Sequence, residues 1–204
     1  YYKHAIWMPT EEDDEVRHLA YFCKFEPISV KKHTNISFKY FNGLEKSGRG
    51  LLEVSFNLHE AKFTLFNLHL KSMWTERDDD PQAKIRREKE ARSIRDLIRG
   101  KFPPTLNPSY LVLGDFNDHK NSPPLSRFLT VNKTILTNIL PCIDSRGHKW
   151  THYFKKQDSY SRIDYLLTSP SMFSRFVPNS GWIMDDKRSD IASDHRLIYA
   201  DFTF

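Results

Sequence analysis

Apolar residues recur in short stretches along the chain, and one longer segment has a helical period. Strands are predicted at residues 19–24, 51–57, 62–70, 110–114, 163–167 and 197–204. A helix is predicted from residue 81 or 82 to residue 99, where Gly100 and the prolines at 103 and 104 end it. Its apolar residues can share one face: Ile85, Ala91, Ile94, Leu97 and Ile98. This order of strands and helix predicts a mixed α/β or α+β protein built on a sheet.

The other faces of the predicted helix carry many basic residues: Lys84, Arg86, Arg87, Lys89, Arg92, Arg95 and Arg99. This pattern favours an amphipathic helix that covers a sheet and turns a solvated basic face to water. A contact with nucleic acid is the less favoured interpretation.

Composition limits the class of protein. The chain has 204 residues, and no segment has the composition of an interdomain linker, so we predict a single domain over residues 1–204. No long apolar stretch free of charge predicts a membrane span. The two cysteines cannot form a disulfide framework, and the net charge of +5 suits a polyanionic partner without requiring one. The first residue is not Met, so we expect that an upstream segment of the protein is missing from this sequence. Cytoplasmic and secreted locations both stay open.

The apolar segment from Tyr110 runs directly into Gly114-Asp115-Phe116-Asn117. Side chains alternate along a strand, so Asp115 and Asn117 point to one side if the extended backbone continues through the turn. A strand end is a rigid mount for catalytic groups. A polar turn that merely closes the strand is the alternative interpretation.

Two further segments combine a carboxylate with titratable or apolar neighbours. Asp194 and His195 offer a hard oxygen ligand and a base on adjacent residues, although a surface turn would have the same sequence. Asp164 interrupts an apolar strand and needs a partner, because an unpaired buried charge is costly. Either Arg162 or Arg196 pairs with it, or it orients an imidazole.

A fourth segment places polar residues at alternate positions of a predicted strand: Asn67, His69 and Lys71. An ordinary half-exposed strand has this pattern. The same pattern also suits a polar row that donates hydrogen bonds to a phosphate from the imidazole and the ammonium group.

Taken together in their order along the chain, the four segments resemble the endonuclease/exonuclease/phosphatase superfamily of metal-dependent phosphoesterases. The resemblance implies a four-layer α/β sandwich, with two mixed β-sheets face to face and helices outside. It implies that Asp115 and Asn117 are catalytic, that Asp194 binds the metal, that His195 is the base and that Asp164 holds His195 in its productive tautomer. It also implies that His69 and Asn117 donate hydrogen bonds to the scissile phosphate.

The family's first two motifs, an Asn and a metal-binding Glu, have no convincing counterpart in the sequence before Arg17. The acidic run at residues 11–15 is predicted to be a mobile solvated loop. We therefore expect the domain to be incomplete at its N-terminus, with those two motifs upstream of residue 1.

The resemblance implies hydrolysis of a phosphodiester with Mg²⁺, or Mn²⁺ in its place, held partly by Asp194. The basic helix, the net charge and the aromatic residues Trp74 and Trp150 favour a nuclease acting on DNA or RNA. A phospholipid or small-molecule phosphoesterase is the second hypothesis, for which Met73-Trp74 could be an apolar membrane loop. An inactive binding module is the third, if the upstream Glu does not exist.

Overall fold

The computed structural model describes residues 1–10 and 17–204, so the acidic run at 11–15 lies outside the described residues. The strands in chain order are β1 His4–Met8, β2 Leu19–Cys23, β3 Ser29–His33, β4 Ser37–Tyr40, β5 Gly43–Lys46, β6 Leu51–Leu58, β7 Ala61–His69, β8 Tyr110–Asp115, β9 Thr130–Val131, β10 Thr134–Ile135, β11 Asn138–Ile139, β12 His152–Phe154, β13 Ser159–Ser161, β14 Asp164–Thr168, β15 Trp182–Ile183 and β16 Ile198–Tyr199. The α-helices are α1 Lys84–Lys101, α2 Pro123–Leu129, α3 Pro170–Phe173 and α4 Ser189–Ala192. Single 3₁₀ turns occur at Pro81–Ala83, Pro104–Leu106 and Lys155–Gln157.

Six strands form a central mixed sheet in the order β11-β14-β8-β7-β6-β3. Strands β7 and β8 are parallel, and α1 lies in the connection between them, as a parallel crossover requires. The other pairs in this sheet are antiparallel. The parallel pair and β14 form the centre that carries the candidate site.

Both faces of the central sheet are covered by apolar packing. Alternating side chains of the sheet pack on one face against α1 and α2 in a cluster that includes Phe66, Leu68, Ala91, Ile94, Ile98, Val112, Phe116 and Phe128. On the other face they pack against the β1–β2 pair in a cluster that includes Met8, Leu19, Leu52, Val54, Phe56, Phe63 and Leu111. The pair β15–β16 continues this second layer around Leu140, Cys142 and Ile183. The predicted mixed α/β fold class, with a central mixed sheet, is confirmed. Over residues 1–10 and 17–204, the layer that faces this sheet consists of two-stranded antiparallel pairs and not of a second mixed sheet.

The predicted elements are found with shifted ends. The last predicted strand is reduced to Ile198–Tyr199, and α1 begins at Lys84 because Gln82 and Ala83 have φ angles of 61° and 50°. The prediction that Ile85 lies on the buried face was wrong, since its side chain is 39% exposed. The prediction of a wholly solvated basic face was also wrong, because Arg87 and Arg95 are buried. No helix in the described part of the chain combines the length and the apolar character that a membrane crossing needs.

Candidate active site

Three of the predicted residues lie side by side at one edge of the central sheet. His69 ends β7, Asp115 ends the parallel strand β8, and Asp164 begins the antiparallel strand β14. The strand register pairs Asp115 with both His69 and Asp164. Because the strands form one sheet, residues that are far apart in sequence are brought into a single row. His69 Nε2 lies 3.4 Å from Asp115 Oδ2.

The turn after β8 holds Asp115 and Asn117 together. The backbone N–H of Asn117 donates to Asp115 Oδ1 at 2.7 Å, and its amide Nδ2 donates to Asp115 Oδ2 at 3.2 Å and to the Leu70 carbonyl at 3.0 Å. The two side chains lie together as predicted, but the predicted cause was wrong. The backbone is not extended through the turn, because Asn117 has a φ of 51°. The left-handed turn brings the side chains together instead, and Asn is a residue type that tolerates this conformation.

Asp164 makes its side-chain contact with an imidazole. His195 Nδ1 and Asp164 Oδ2 are 2.9 Å apart, and the backbone N–H of Asp164 donates to Thr151 Oγ1 at 3.2 Å. Arg196 instead contacts Asp144 at 3.2 Å, so this arginine is not the partner of Asp164. Of the alternatives left open by the sequence, orientation of an imidazole is the one observed.

His152 is a second histidine that the sequence did not single out. Its backbone bridges that of His195, their ring centroids are 4.6 Å apart, and His152 Nε2 lies 3.7 Å from Asp194 Oδ2. This contact spans more than forty residues of sequence, and a histidine at the start of a three-residue strand gave no signal. Only the pairing of β12 with the segment before β16 brings it to the site.

An open cavity of about 810 Å³ lies at this edge of the sheet. The residues that line it are Arg17, Arg49, His69, Lys71, Ser72, Trp74, Asp115, Asn117, Asp194 and His195. Six predicted site residues are thus on one surface, while Asp164 stands behind His195. Asn67 does not join them, since its amide donates to the Ala20 carbonyl. Sequence reasoning gave no site role to Arg17, Arg49 and Ser72.

Burial and neighbouring charges raise the pKa values of two residues at the site. Burial, together with the negative charge of Asp164, raises the pKa of Asp115 to about 7. Burial alone would lower the pKa of His195, but its hydrogen bond to Asp164 and the charges of Asp115 and Asp194 raise it to about 9. The carboxylates of Asp115 and Asp164 therefore repel each other, and a bound cation would relieve that repulsion.

The donor set fits a hard divalent cation. Asp115, Asp164 and His195 form one group whose candidate ligand atoms lie within 4.8 Å of one another, and His152, Asp194 and His195 form a second group. Asp194 is the accessible carboxylate, with its side chain 73% exposed. Carboxylate oxygens are the ligands that Mg²⁺ and Mn²⁺ prefer.

The sequence matches the Endonuclease/Exonuclease/phosphatase family over residues 18–195. The chain belongs to this family. Membership supports a metal-dependent phosphoesterase, because the family consists in general of hydrolytic phosphoesterases. No curated protein matches the sequence. The prediction that two family motifs lie upstream of residue 1 stays a prediction.

Solved structures share the fold at low sequence identity. The catalytic domain of human Nocturnin with bound sulfate is 16% identical, with a TM-score of 0.67 over 98% of this chain and 72% of that one. The beta toxin of Staphylococcus aureus is 18% identical, with a TM-score of 0.64 over 90% of this chain and 67% of that one. The 3′ phosphatase NExo from Neisseria, bound to a product DNA hairpin, is 15% identical, with a TM-score of 0.58 over 98% of this chain and 79% of that one.

Proposed function

We propose that this family member is a metal-dependent phosphodiesterase that acts on nucleic acid with a water activated by His195. The observation that carries the proposal is the hydrogen bond between Asp164 and His195 at the wall of a cavity that also presents Asp115 and Asp194. An imidazole fixed at Nδ1 by a carboxylate keeps Nε2 for the reacting water.

A divalent cation, Mg²⁺ or Mn²⁺, would be held in part by Asp194 and would stabilise negative charge on the phosphoryl and leaving oxygens. With the charge of such a cation nearby, the pKa of His195 would fall from about 9. Its neutral Nε2 could then accept a proton from the attacking water, with Asp164 stabilising the imidazolium that results. Asp115, with a pKa of about 7, either positions this water or gives a proton to the leaving oxygen. His69 and Lys71 donate hydrogen bonds to phosphate oxygens as charge builds up.

We assign Asn117 first to orienting Asp115. Both hydrogens of its amide are donated, one to Asp115 and one to the Leu70 carbonyl. A direct hydrogen bond from Asn117 to the phosphate, as the family resemblance implies, requires release of the bond to Asp115. This rearrangement is consistent with binding of a cation by the Asp115 carboxylate.

The charge around the cavity favours nucleic acid as the substrate. Arg17, Arg49 and Lys71 line the cavity beside an exposed aromatic residue, Trp74. Basic groups neutralise a phosphate backbone irrespective of sequence. Two sequence arguments for a nuclease, the basic helix and the exposed Trp150, are weakened by the structure. Arg87 and Arg95 of α1 are buried, and Trp150 is half-buried under the Arg196 guanidinium. The support therefore comes from the cavity itself.

A lipid phosphodiesterase is the second candidate. Met73 and Trp74 are adjacent exposed apolar residues, and a sphingomyelinase C from Streptomyces griseocarneus shares the fold, with a TM-score of 0.51 at 14% identity. Two side chains give a small apolar surface for membrane binding.

The test is a substrate panel under matched conditions. The protein is assayed with Mg²⁺ or Mn²⁺ on DNA, RNA, sphingomyelin and phosphorylated sugars, with EDTA as the metal-free control. We expect hydrolysis of nucleic acid that EDTA abolishes. His195→Ala should reduce turnover by about 10²- to 10⁴-fold. His59→Asn, at an exposed turn, is the matched histidine control. Cleavage of sphingomyelin alone would favour the lipid candidate, and binding of nucleic acid without hydrolysis would favour the inactive binding module.

A further inference from the structure

Trp74 is exposed although it lines the catalytic cavity. Its side chain is 69% exposed, and it lies in the connection between β7 and the 3₁₀ turn at Pro81–Ala83. A large aromatic surface at the edge of a charged cavity is placed where it can stack on a ring of a bound ligand.

The start of this connection is fastened by two buried residues of α1. The backbone N–H of Lys71 donates to Glu90 Oε2 at 2.8 Å, and its carbonyl accepts from Arg87 Nη1 at 3.2 Å. Both backbone polar groups of Lys71 are therefore held by side chains one helical turn apart. Lys71 Nζ in turn donates to the Trp74 carbonyl at 2.8 Å, which ties Trp74 to the clamped residue.

The end of the connection is fastened by a third buried residue, Asp80. Its carboxylate accepts from Tyr40 Oη at 2.9 Å and from the backbone N–H groups of Ile85 and Arg86 at 2.8 and 2.9 Å. The Arg77 guanidinium lies 5.1 Å from the centroid of the Tyr40 ring. Because both ends are anchored, the segment that presents Trp74 loses little conformational entropy when a ligand binds.

The charges around Trp74 select the kind of group that can stack on it. Arg17, Arg49 and Lys71 line the same cavity and favour an anion. Lys71 Nζ already lies 5.6 Å from the centroid of the Trp74 ring, so a second cation such as the quaternary ammonium of a choline headgroup is repelled. A flat, uncharged ring attached to a phosphate satisfies both conditions, and a nucleobase is such a ring.

We propose that Trp74 is a stacking platform for a nucleobase adjoining the scissile phosphate. This inference rests on the proposed function and makes it more specific. A base paired within a duplex has both faces covered by its neighbours, so stacking on Trp74 requires an unpaired base. The favoured substrate is therefore a single strand, a loop or a frayed end.

The first experiment compares a single-stranded oligonucleotide with one whose sugars beside the scissile linkage lack bases. For Trp74→Ala we expect kcat/KM on the base-bearing strand to fall about 5- to 150-fold further than on the abasic strand. Trp74→Phe should recover most of this difference, because the phenyl ring still stacks. Trp7→Phe, an exposed tryptophan that is absent from the cavity lining, is the matched control. Equal losses of Trp74→Ala on the two strands would overturn the proposal.

A second measurement separates stacking from hydrolysis. In EDTA, a nucleoside monophosphate should quench tryptophan fluorescence of the wild-type protein, whereas deoxyribose 5-phosphate should not. The quenching should disappear in Trp74→Phe and persist in Trp7→Phe. If no nucleic acid is hydrolysed but this quenching is found, the proposed function fails and the platform stands. If nucleic acid is hydrolysed and quenching is absent, or if Trp74→Ala lowers only binding to sphingomyelin vesicles, the platform is refuted.

Discussion

The buried ion pair between Arg87 and Asp118 joins α1 to the turn that follows the catalytic strand. Arg87 is 1% exposed, and its Nε and Nη2 donate to Asp118 Oδ2 at 2.9 and 2.8 Å. Its Nη1 donates to the carbonyls of Lys71 and Gln82. Arg87→Met keeps the apolar stem but removes these donors and leaves the carboxylate unpaired. We expect the free energy of unfolding to fall by about 3–5 kcal/mol, the usual cost of removing one member of a buried pair.

Urea denaturation of wild type, Arg87→Met, Asp118→Asn and the double variant measures this coupling. The double variant should be more stable than the sum of the single losses predicts, by about 0.5–3 kcal/mol, because neither charge is then left unpaired. Arg92→Met is the matched control on the same helix. Arg92 is 57% exposed and should change stability by less than about 0.5 kcal/mol.

The reasoning is refuted if Arg87→Met lies within about 1 kcal/mol of wild type with an unchanged dependence on urea. It is equally refuted if the losses of the two single variants simply add. Either result would mean that water or a rearranged neighbour replaces the ion pair in the variants.

Two further predictions concern stability. Burial alone would raise the pKa of Glu53, but its ion pairs with Lys101 and His33 hold that pKa below its ordinary value. Glu53→Gln should therefore lower the free energy of unfolding by about 1–3 kcal/mol at pH 7. The difference in stability from wild type should shrink as the pH falls through the lowered pKa of Glu53, because its carboxylate is then protonated. A difference in stability that persists unchanged at pH 3 would contradict this. Gly114→Ala should lower the urea midpoint strongly, because φ is +130° and a Cβ would lie 2.0 Å from a backbone oxygen of β7. Gly43→Ala, where the nearest atom would be 3.8 Å away, should lower it far less, and equal midpoints would contradict the argument.

The central strands were predictable because their local pattern agrees with their final environment. Strands β6, β7, β8 and β14 are apolar runs buried on two covered faces, so composition and length were sufficient. Strand β3, by contrast, is mostly exposed and contains two lysines. Its strand structure depends on pairing with β6, which lies later in the sequence. Edge strands of this kind carry little local signal.

The partners of the buried charges of α1 could not be predicted from the helix alone. A period of 3.6 residues places Arg87 on the same face as Ala91, Ile94 and Ile98, within about 40° of each. Its charge and that of Glu90 favoured a solvated face, and the partners that allow their burial lie far away in sequence at Asp118, Lys71 and Ser47. The motif residues, by contrast, could be identified from the sequence, because four segments in a fixed order carry the resemblance to the family. His152 and Trp74 belong to no motif, so their places at the site follow from the fold.

We predict that Asp164 acts on the reaction through His195. Its Oδ2 is 2.9 Å from His195 Nδ1, and it is not among the residues that line the cavity. Asp164→Asn should therefore slow turnover by misorienting the imidazole, and in EDTA the pKa of His195, followed by NMR, should fall from about 9 because burial is then less opposed. The variant with both Asp164→Asn and His195→Ala should be no slower than His195→Ala alone, since groups that act as one unit are not additive. A double variant slower than His195→Ala by the full factor of Asp164→Asn would show that Asp164 acts independently of the imidazole, for instance on the cation or on Asp115.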